Sequence, residues 1–306
     1  MYSNIVRDEE YKLRFRDFIQ GEYGIDVRSI SVARRGFYGE TWRISSLNTP
    51  YFLKVVCCRV HMHIYEQSLP IIQHLCDHGI DFIDQIVKTR HGKLSTYFDD
   101  AVVGAFDWIE DENIETDETK MPEYEMLAKV YAIPHQGVDF LYEDFSSRCS
   151  DEFWMRLRIL DNKRILSLFE KNREKLKYRT ERLNLFSTLC RVDKTGFVIT
   201  HGDAGGNFFV SKNRNFILDW DGAMLAPPER DAWVMYSREW ARDAFHKALS
   251  RNGIAYKLRT ERLAYYCYRF FFFYLNSFIA ADSEADVVTA FLDGWIEDSF
   301  RCADAI

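Results

Sequence analysis

Near residue 110 the hydrophobic spacing of this 306-residue chain changes character, and the change limits the folds open to it. Ahead of that point apolar residues fall in short runs separated by turn residues. Beyond it they recur every three or four positions through long segments. A chain divided in this way predicts an α+β protein of two lobes, a small sheet-and-helix lobe over 1–109 and a larger, mainly helical lobe over 110–306. Tyr11, Phe15, Phe18 and Ile19 mark an opening helix over 7–23, ended by Gly21 or Gly24. A β-meander over 28–57 comes next, followed by a helix from about Ile64 to His78 that stops at Gly79. Strands are expected near 82–88, 94–98 and 101–109. The acidic segment 110–119 reads as a solvated loop or a hinge. Beyond it, 122–135, 151–172, 173–190, 231–250, 259–280 and 284–300 read as helices, and 197–200, 207–211 and 215–219 as short apolar strands.

Composition removes several classes of function. Hydrophobic residues make up 47% of the chain, enough to bury a substantial core, so wholesale disorder is excluded. The net charge is −7 and no basic block stands out, so a nucleic-acid partner has no electrostatic support. An acidic surface does tolerate cationic substrates. The most apolar stretch, Leu263 to Ala280, carries Arg269 and Asn276 and reads as a buried core helix, with no membrane span expected. The first residues turn charged at once, unlike a signal peptide, and the seven scattered cysteines fit a reducing cytoplasm better than a disulfide framework. The sequence sets no oligomeric state, and a monomer is compatible with it.

The chemistry concentrates in Thr200-His201-Gly202-Asp203-Ala204-Gly205-Gly206-Asn207 and in Leu218-Asp219-Trp220-Asp221. A carboxylate and a carboxamide share one glycine-rich turn, and a second carboxylate ends an apolar run. Phosphoryl transfer asks for an in-line hydroxyl, neutralised phosphates and a nearby proton acceptor. Asp203 fits the catalytic base, against the reading of a turn Asp bonded to its own loop. Asn207 and Asp219 fit as magnesium ligands, since that ion takes hard oxygen donors. Asp221, one pleat beyond Asp219 if the strand continues, is the second choice. Lys54, the lone charge from Tyr51 to Cys58, fits a phosphate lysine, or else an edge-protecting residue. Glu66 is the acid in the next helix placed to steady it. The turn at Gly36 and Gly39 fits a phosphate cradle or an ordinary hairpin. Cys57, Cys58, His61, His63, His74, Cys76 and His78 lie close together, but their spacing matches no zinc pattern.

At these residues the chain resembles the aminoglycoside phosphotransferase and choline kinase superfamily, which shares the bilobal protein-kinase-like fold. The likeness is densest from Leu218 to Asp231, and recurs at Tyr51 to Lys54, Ile71 to Ile80 and Leu127 to His135. It implies ATP- or GTP-dependent phosphorylation of a hydroxyl on a small-molecule acceptor, with Mg2+. By the resemblance Lys54 and Glu66 take the phosphate-lysine and ion-pair positions, Asp203 the base, and Asn207 and Asp219 the metal. Asp231 matches an acid that orders the catalytic loop, and His135 a structural helix-ending His. Gly202 stands where protein kinases carry an Arg, and no room exists between Asp219 and Asp231 for an activation loop. The helical stretch 151–190 suits a wall for a small acceptor. One departure matters. Three residues, Ala204 to Gly206, separate Asp203 from Asn207 where the family usually has four. Glycine at 205 and 206 is expected to carry the shorter loop through backbone angles closed to other residues. If it does not, metal binding weakens or moves to Asp221. The readings left open are an antibiotic or related small-molecule kinase, a metabolic kinase of choline, sugar or amino-alcohol type, a catalytically idle nucleotide-binding module, and a metallophosphoesterase built on His201, Asp203 and other histidines.

Overall fold

A computed structural model of the chain describes residues 7–33, 39–110, 112–114, 116–210, 214–235, 237–280, 283–294 and 297–306. The chain packs as two compact units, each drawn from separate segments. The first takes 1–126, 133–141 and 201–224, and the second 127–132, 142–200 and 225–306.

The first unit opens with α1 (Glu9–Tyr23), N-capped by the Asp8 side chain and closed by Gly24 in the left-handed region. A sheet of six strands follows, comprising β1 (Ser29–Val32), β2 (Gly39–Ser45), β3 (Tyr51–Val56), β4 (Ile86–Val87), β5 (Thr96–Phe98) and β6 (Ala101–Asp107). Its order is β1-β2-β3-β6-β4, with β5 also pairing β6, and the pairings are antiparallel. The β-pleat divides β3 between two faces. Leu53 and Val55 join Phe15, Ile19, Trp42 and Val103 in a core roofed by α1, where burying each large side chain contributes roughly 1.5–3 kcal/mol. Lys54 is thereby turned to the opposite face, level with Gly104 of β6. The helix α2 (Arg59–Asp77) begins five residues earlier than the periodicity from Ile64 implied and ends ahead of Gly79, whose φ is +82°.

Later in the same unit β7 (Glu112–Asn113), β9 (Phe208–Val210) and β10 (Asn215–Ile217) form a three-stranded sheet, with β9 in the middle. The helix α3 (Asp117–Tyr131) starts in the acidic segment, and its last turn belongs to the second unit.

The second unit is built on α9 (Thr260–Ala280). Arg262, Tyr265, Tyr266, Tyr268, Phe271 and Phe272 are among its buried residues, as expected of a core helix. The helices α4 (Arg148–Arg158), α6 (Arg173–Arg191), α7 (Glu229–Ala232) and α11 (Glu297–Asp304) pack against it. The single helix read over 151–172 is instead two, α4 and α5 (Lys163–Lys171), because the Asn162 side chain caps the second one at Ile165 N–H. The stretch 231–250 likewise breaks into α7, a 3₁₀ turn at Trp233–Met235, and α8 (Glu239–Arg251). α10 (Ala285–Gly294) and α11 share the stretch 284–300. A short pair, β8 (Val198–Thr200) with β11 (Met224–Ala226), completes the inventory, and β11 carried no sequence signal. All seven cysteines are free thiols. Among the described residues, no helix is long and apolar enough to cross a membrane.

Candidate active site

The pleat of β3 aims Lys54 at two carboxylates more than 160 positions away. Lys54 Nζ donates to Asp219 Oδ1 at 2.5 Å and also pairs with Asp221 Oδ2. Had the strand continued, Asp221 would have pointed the same way as Asp219 from one pleat further on. The strand ends at Ile217, Asp219 turns left-handed (φ 66°, ψ 52°), and Trp220–Gly222 winds as a 3₁₀ turn. That turn brings Asp221 to the same ammonium.

A left-handed backbone is costly for a residue with a Cβ, though Asp tolerates it better than most. Asp84 supports it, since the Asp219 N–H donates to Asp84 Oδ2 at 2.9 Å. No sequence signal marked Asp84, because only the fold brings it under the turn. Burial, the largest influence, and the charge of Asp219 push the Asp84 carboxyl up to about 7. Burial opposes the charge on Lys54, but Asp219 and Asp221 overcome it and hold the ammonium well above its ordinary value. Burial also opposes ionisation of Asp219, but Lys54 outweighs it and the carboxylate sits below the usual range. Asp221 goes the other way, raised by burial and by the charge of Asp219 against the pull of Lys54. The Asp219 side chain remains 49% exposed, so water screens part of this exchange.

Asp203 and Asn207 lie on a closed circuit of hydrogen bonds. The Asp203 N–H donates to His201 Nδ1 at 3.1 Å, and His201 Nε2 meets the Leu218 carbonyl at 2.9 Å. Because Nδ1 accepts, these partners assign the proton to Nε2. The Leu218 N–H donates to the Asn207 carbonyl at 3.0 Å, and Asn207 Nδ2 donates to the Asp203 carbonyl at 2.9 Å. His201 is 2% exposed and stands edge-on to the buried Trp220 ring at 4.6 Å. The sequence reading gave it no positioning role, although its place two residues ahead of Asp203 was a usable signal. The Asp203 side chain is exposed and leans over Gly206.

The short loop is accommodated by a 3₁₀ turn over Ala204–Asn207. The expected use of Gly205 and Gly206 needs correction. Gly202 carries the left-handed φ, at 93°, and neither of the other two does. The turn needs its glycine freedom at the entry, where the chain leaves Thr200 and swings Asp203 outward.

The remaining candidates are placed differently. Glu66 accepts from the Tyr97 hydroxyl at 2.5 Å, and the acids on Lys54 are Asp219 and Asp221. Gly39 pairs with Val56, and a Cβ there would fall 2.0 Å from the Val55 carbonyl oxygen, so close strand approach requires glycine. Gly36 lies outside the described residues. Asp231, in the second unit, accepts from the Tyr131 hydroxyl at 2.8 Å. His74 and His78 bond to backbone carbonyls. Among the described residues, no trio of His, Cys, Asp or Glu is arranged to hold a metal ion.

Chemically the cluster offers an ammonium, two carboxylates that already gather round a cationic group, a carboxamide and an exposed carboxylate. The carboxylate and amide oxygens are the hard donors that a magnesium ion takes, and such an ion needs only one or two carboxylates beside phosphates and water.

A family model described as a phosphotransferase enzyme family matches residues 29–270. The fold is similar to spectinomycin phosphotransferase APH(9)-Ia, solved with ADP and spectinomycin, at 19% identity and TM-score 0.73 over 96% of this chain and 97% of that one. Amicoumacin kinase hAmiN, solved with AMP-PNP, Ca2+ and Ami, is similar at 12% identity and TM-score 0.65, covering 98% and 94%. Choline kinase LicA from Streptococcus pneumoniae is similar at 14% identity and TM-score 0.64, covering 97% and 100%. No curated protein sequence matches the chain. The chain therefore belongs to the phosphotransferase enzyme family and is a kinase-like phosphotransferase that takes an alcohol group as acceptor.

Proposed function

We propose that the enzyme transfers the γ-phosphate of ATP or GTP to a hydroxyl of an aminoglycoside-like antibiotic or a related small molecule. The observation that carries this reading is the meeting of Lys54 with Asp219 and Asp221 beside the Asp203–Asn207 circuit. In this reading Lys54 neutralises phosphate oxygens, and Asp203 accepts the proton of the attacking hydroxyl. Asn207 and Asp219, with Asp221 in reserve, would hold magnesium, which supplies charge neutralisation on the phosphates when bound. His201 keeps the base-bearing turn in register with the acid turn through its two ring nitrogens. The glycine turn at Gly36 and Gly39 covers the phosphates, and Glu66 borders the nucleotide from α2. The lobes 1–109 and 110–306 divide nucleotide binding from catalysis and acceptor binding.

Support for an antibiotic acceptor comes from the spectinomycin and amicoumacin enzymes. A metabolic kinase is the second reading, favoured by the likeness to a choline kinase along 97% of this chain. A screen of antibiotics, choline, sugars and amino-alcohols with ATP and GTP, read by nucleoside diphosphate release and product mass, decides between them. Asp203→Ala is expected to lower turnover on the order of 100- to 10,000-fold while nucleotide binding persists. Binding without turnover in the wild type would point to an idle nucleotide-binding module instead.

A further inference from the structure

The side chain beneath the Lys54 cluster is a tyrosine whose hydroxyl goes unused in the fold. Tyr65 of α2 is 1% exposed, and its hydroxyl oxygen has no hydrogen-bond partner among the described residues. Burying an unpaired hydroxyl is unfavourable, and phenylalanine would fill the same space without that cost. The fold also makes room for this oxygen. A Cβ at Gly104 would lie 2.0 Å from it and 3.0 Å from its ring carbon Cζ, so only glycine on β6 lets the hydroxyl settle against the sheet. Gly104 is the register partner of Lys54, and Lys54 Nζ stands 5.9 Å from the Tyr65 ring centroid. The helix α2, which carries Tyr65, packs against the Trp220–Gly222 turn that carries Asp221.

We propose that Tyr65 is a positioning residue for phosphoryl transfer, donating its hydroxyl hydrogen to Asp221 when Lys54 leaves that carboxylate for the phosphates of a nucleotide. The inference rests on the nucleotide reading given above. Lys54 holds Asp219 and Asp221 together in the structure. A lysine drawn to phosphate leaves the half-buried Asp221 without its cation, a state that a nearby neutral donor stabilises. Tyr65 then has two faces, idle before binding and engaged after it.

Tyr65→Phe separates this from a purely structural role. Without nucleotide the variant should melt at the wild-type temperature or above it, because an unpaired hydroxyl has been removed. The upward shift in melting temperature produced by MgATP should be smaller than in wild type, and kcat/KM for ATP should fall about 10-fold, the scale of one hydrogen bond to a charged group. In an Asp221→Asn background, Tyr65→Phe should change the nucleotide-induced shift little further. A Tyr65→Phe protein whose MgATP shift and kcat/KM equal those of the wild type overturns the proposal. So does an equal loss in both backgrounds, which shows that Tyr65 does not act through Asp221. If the wild type itself gives no shift with ATP or GTP, the nucleotide reading fails and this inference falls with it. A wild type that responds while Tyr65→Phe responds identically removes the role of Tyr65 alone.

Discussion

Replacing Lys54 by methionine tests the electrostatic account of the site most directly. The methionine side chain would keep most of the buried stem and remove the ammonium that Asp219 and Asp221 share. Taking one partner from a fully buried ion pair costs roughly 3–5 kcal/mol. Here Lys54 is 12% exposed, Asp221 28% and Asp219 49%, so solvent screening reduces the cost. We expect Lys54→Met to lose about 1–3 kcal/mol of unfolding free energy at pH 7. The sign of the pH dependence follows from the folded state. Asp219 is held below its ordinary 3.8 because Lys54 outweighs burial, so its contribution is present above that value and lost as pH falls through the lower folded one. Without the ammonium, burial raises both carboxylates, and the unfolded chain gives up their protons more readily than the folded one. The gap between wild type and variant should therefore be full at neutral pH and narrow as both acids protonate at acid pH. Denaturant unfolding at several pH values measures it. A Lys54→Met curve that overlays wild type from neutral to acid pH would refute the reasoning. In the same preparation the ATP-dependent reaction should drop far more than acceptor binding.

Three further outcomes are expected. Asp219→Ala should abolish magnesium-dependent transfer, and wild-type turnover in that variant, measured by diphosphate release, would shift the metal role to Asp221. His201→Ala removes the hydrogen bonds that the His201 ring makes with the Leu218 carbonyl and the Asp203 N–H. It should slow turnover on the order of 10- to 100-fold, with a smaller effect on nucleotide affinity seen by calorimetry. Glu229 is 0% exposed, accepts from Tyr256 and from the Arg259 N–H, and is pushed up to about 7 by burial. The folded state holds that proton more tightly than the unfolded one, so Glu229 lowers stability as pH rises from about 4.5 to about 7. Glu229→Gln should flatten that part of the stability profile by on the order of a few kcal/mol, and an unchanged slope would count against burial as the cause.

The candidate site residues were legible because their types and order are local facts. Lys54 stands out as a charge in an apolar run, and Asp203, Asn207, Asp219 and Asp221 sit on short segments whose spacing can be read directly. The change from short apolar runs to helical periodicity was legible for the same reason. It reflects which face of each element meets a core. Helix breaks were less so, since the helical period continues across 159–162 and across 237–238 even though the helix does not.

What tertiary structure alone decided are the partnerships. The sequence order made Glu66 the natural companion of Lys54, yet the fold gives Glu66 to Tyr97 and gives Lys54 to the acids of a distant turn. Asp84 under the left-handed Asp219 and the hydroxyl of Tyr65 seated against Gly104 leave no trace in spacing. Each joins segments far apart along the chain. A sequence records which side chains are available and how each segment presents them, whereas which ones meet is fixed by the packing of elements against one another.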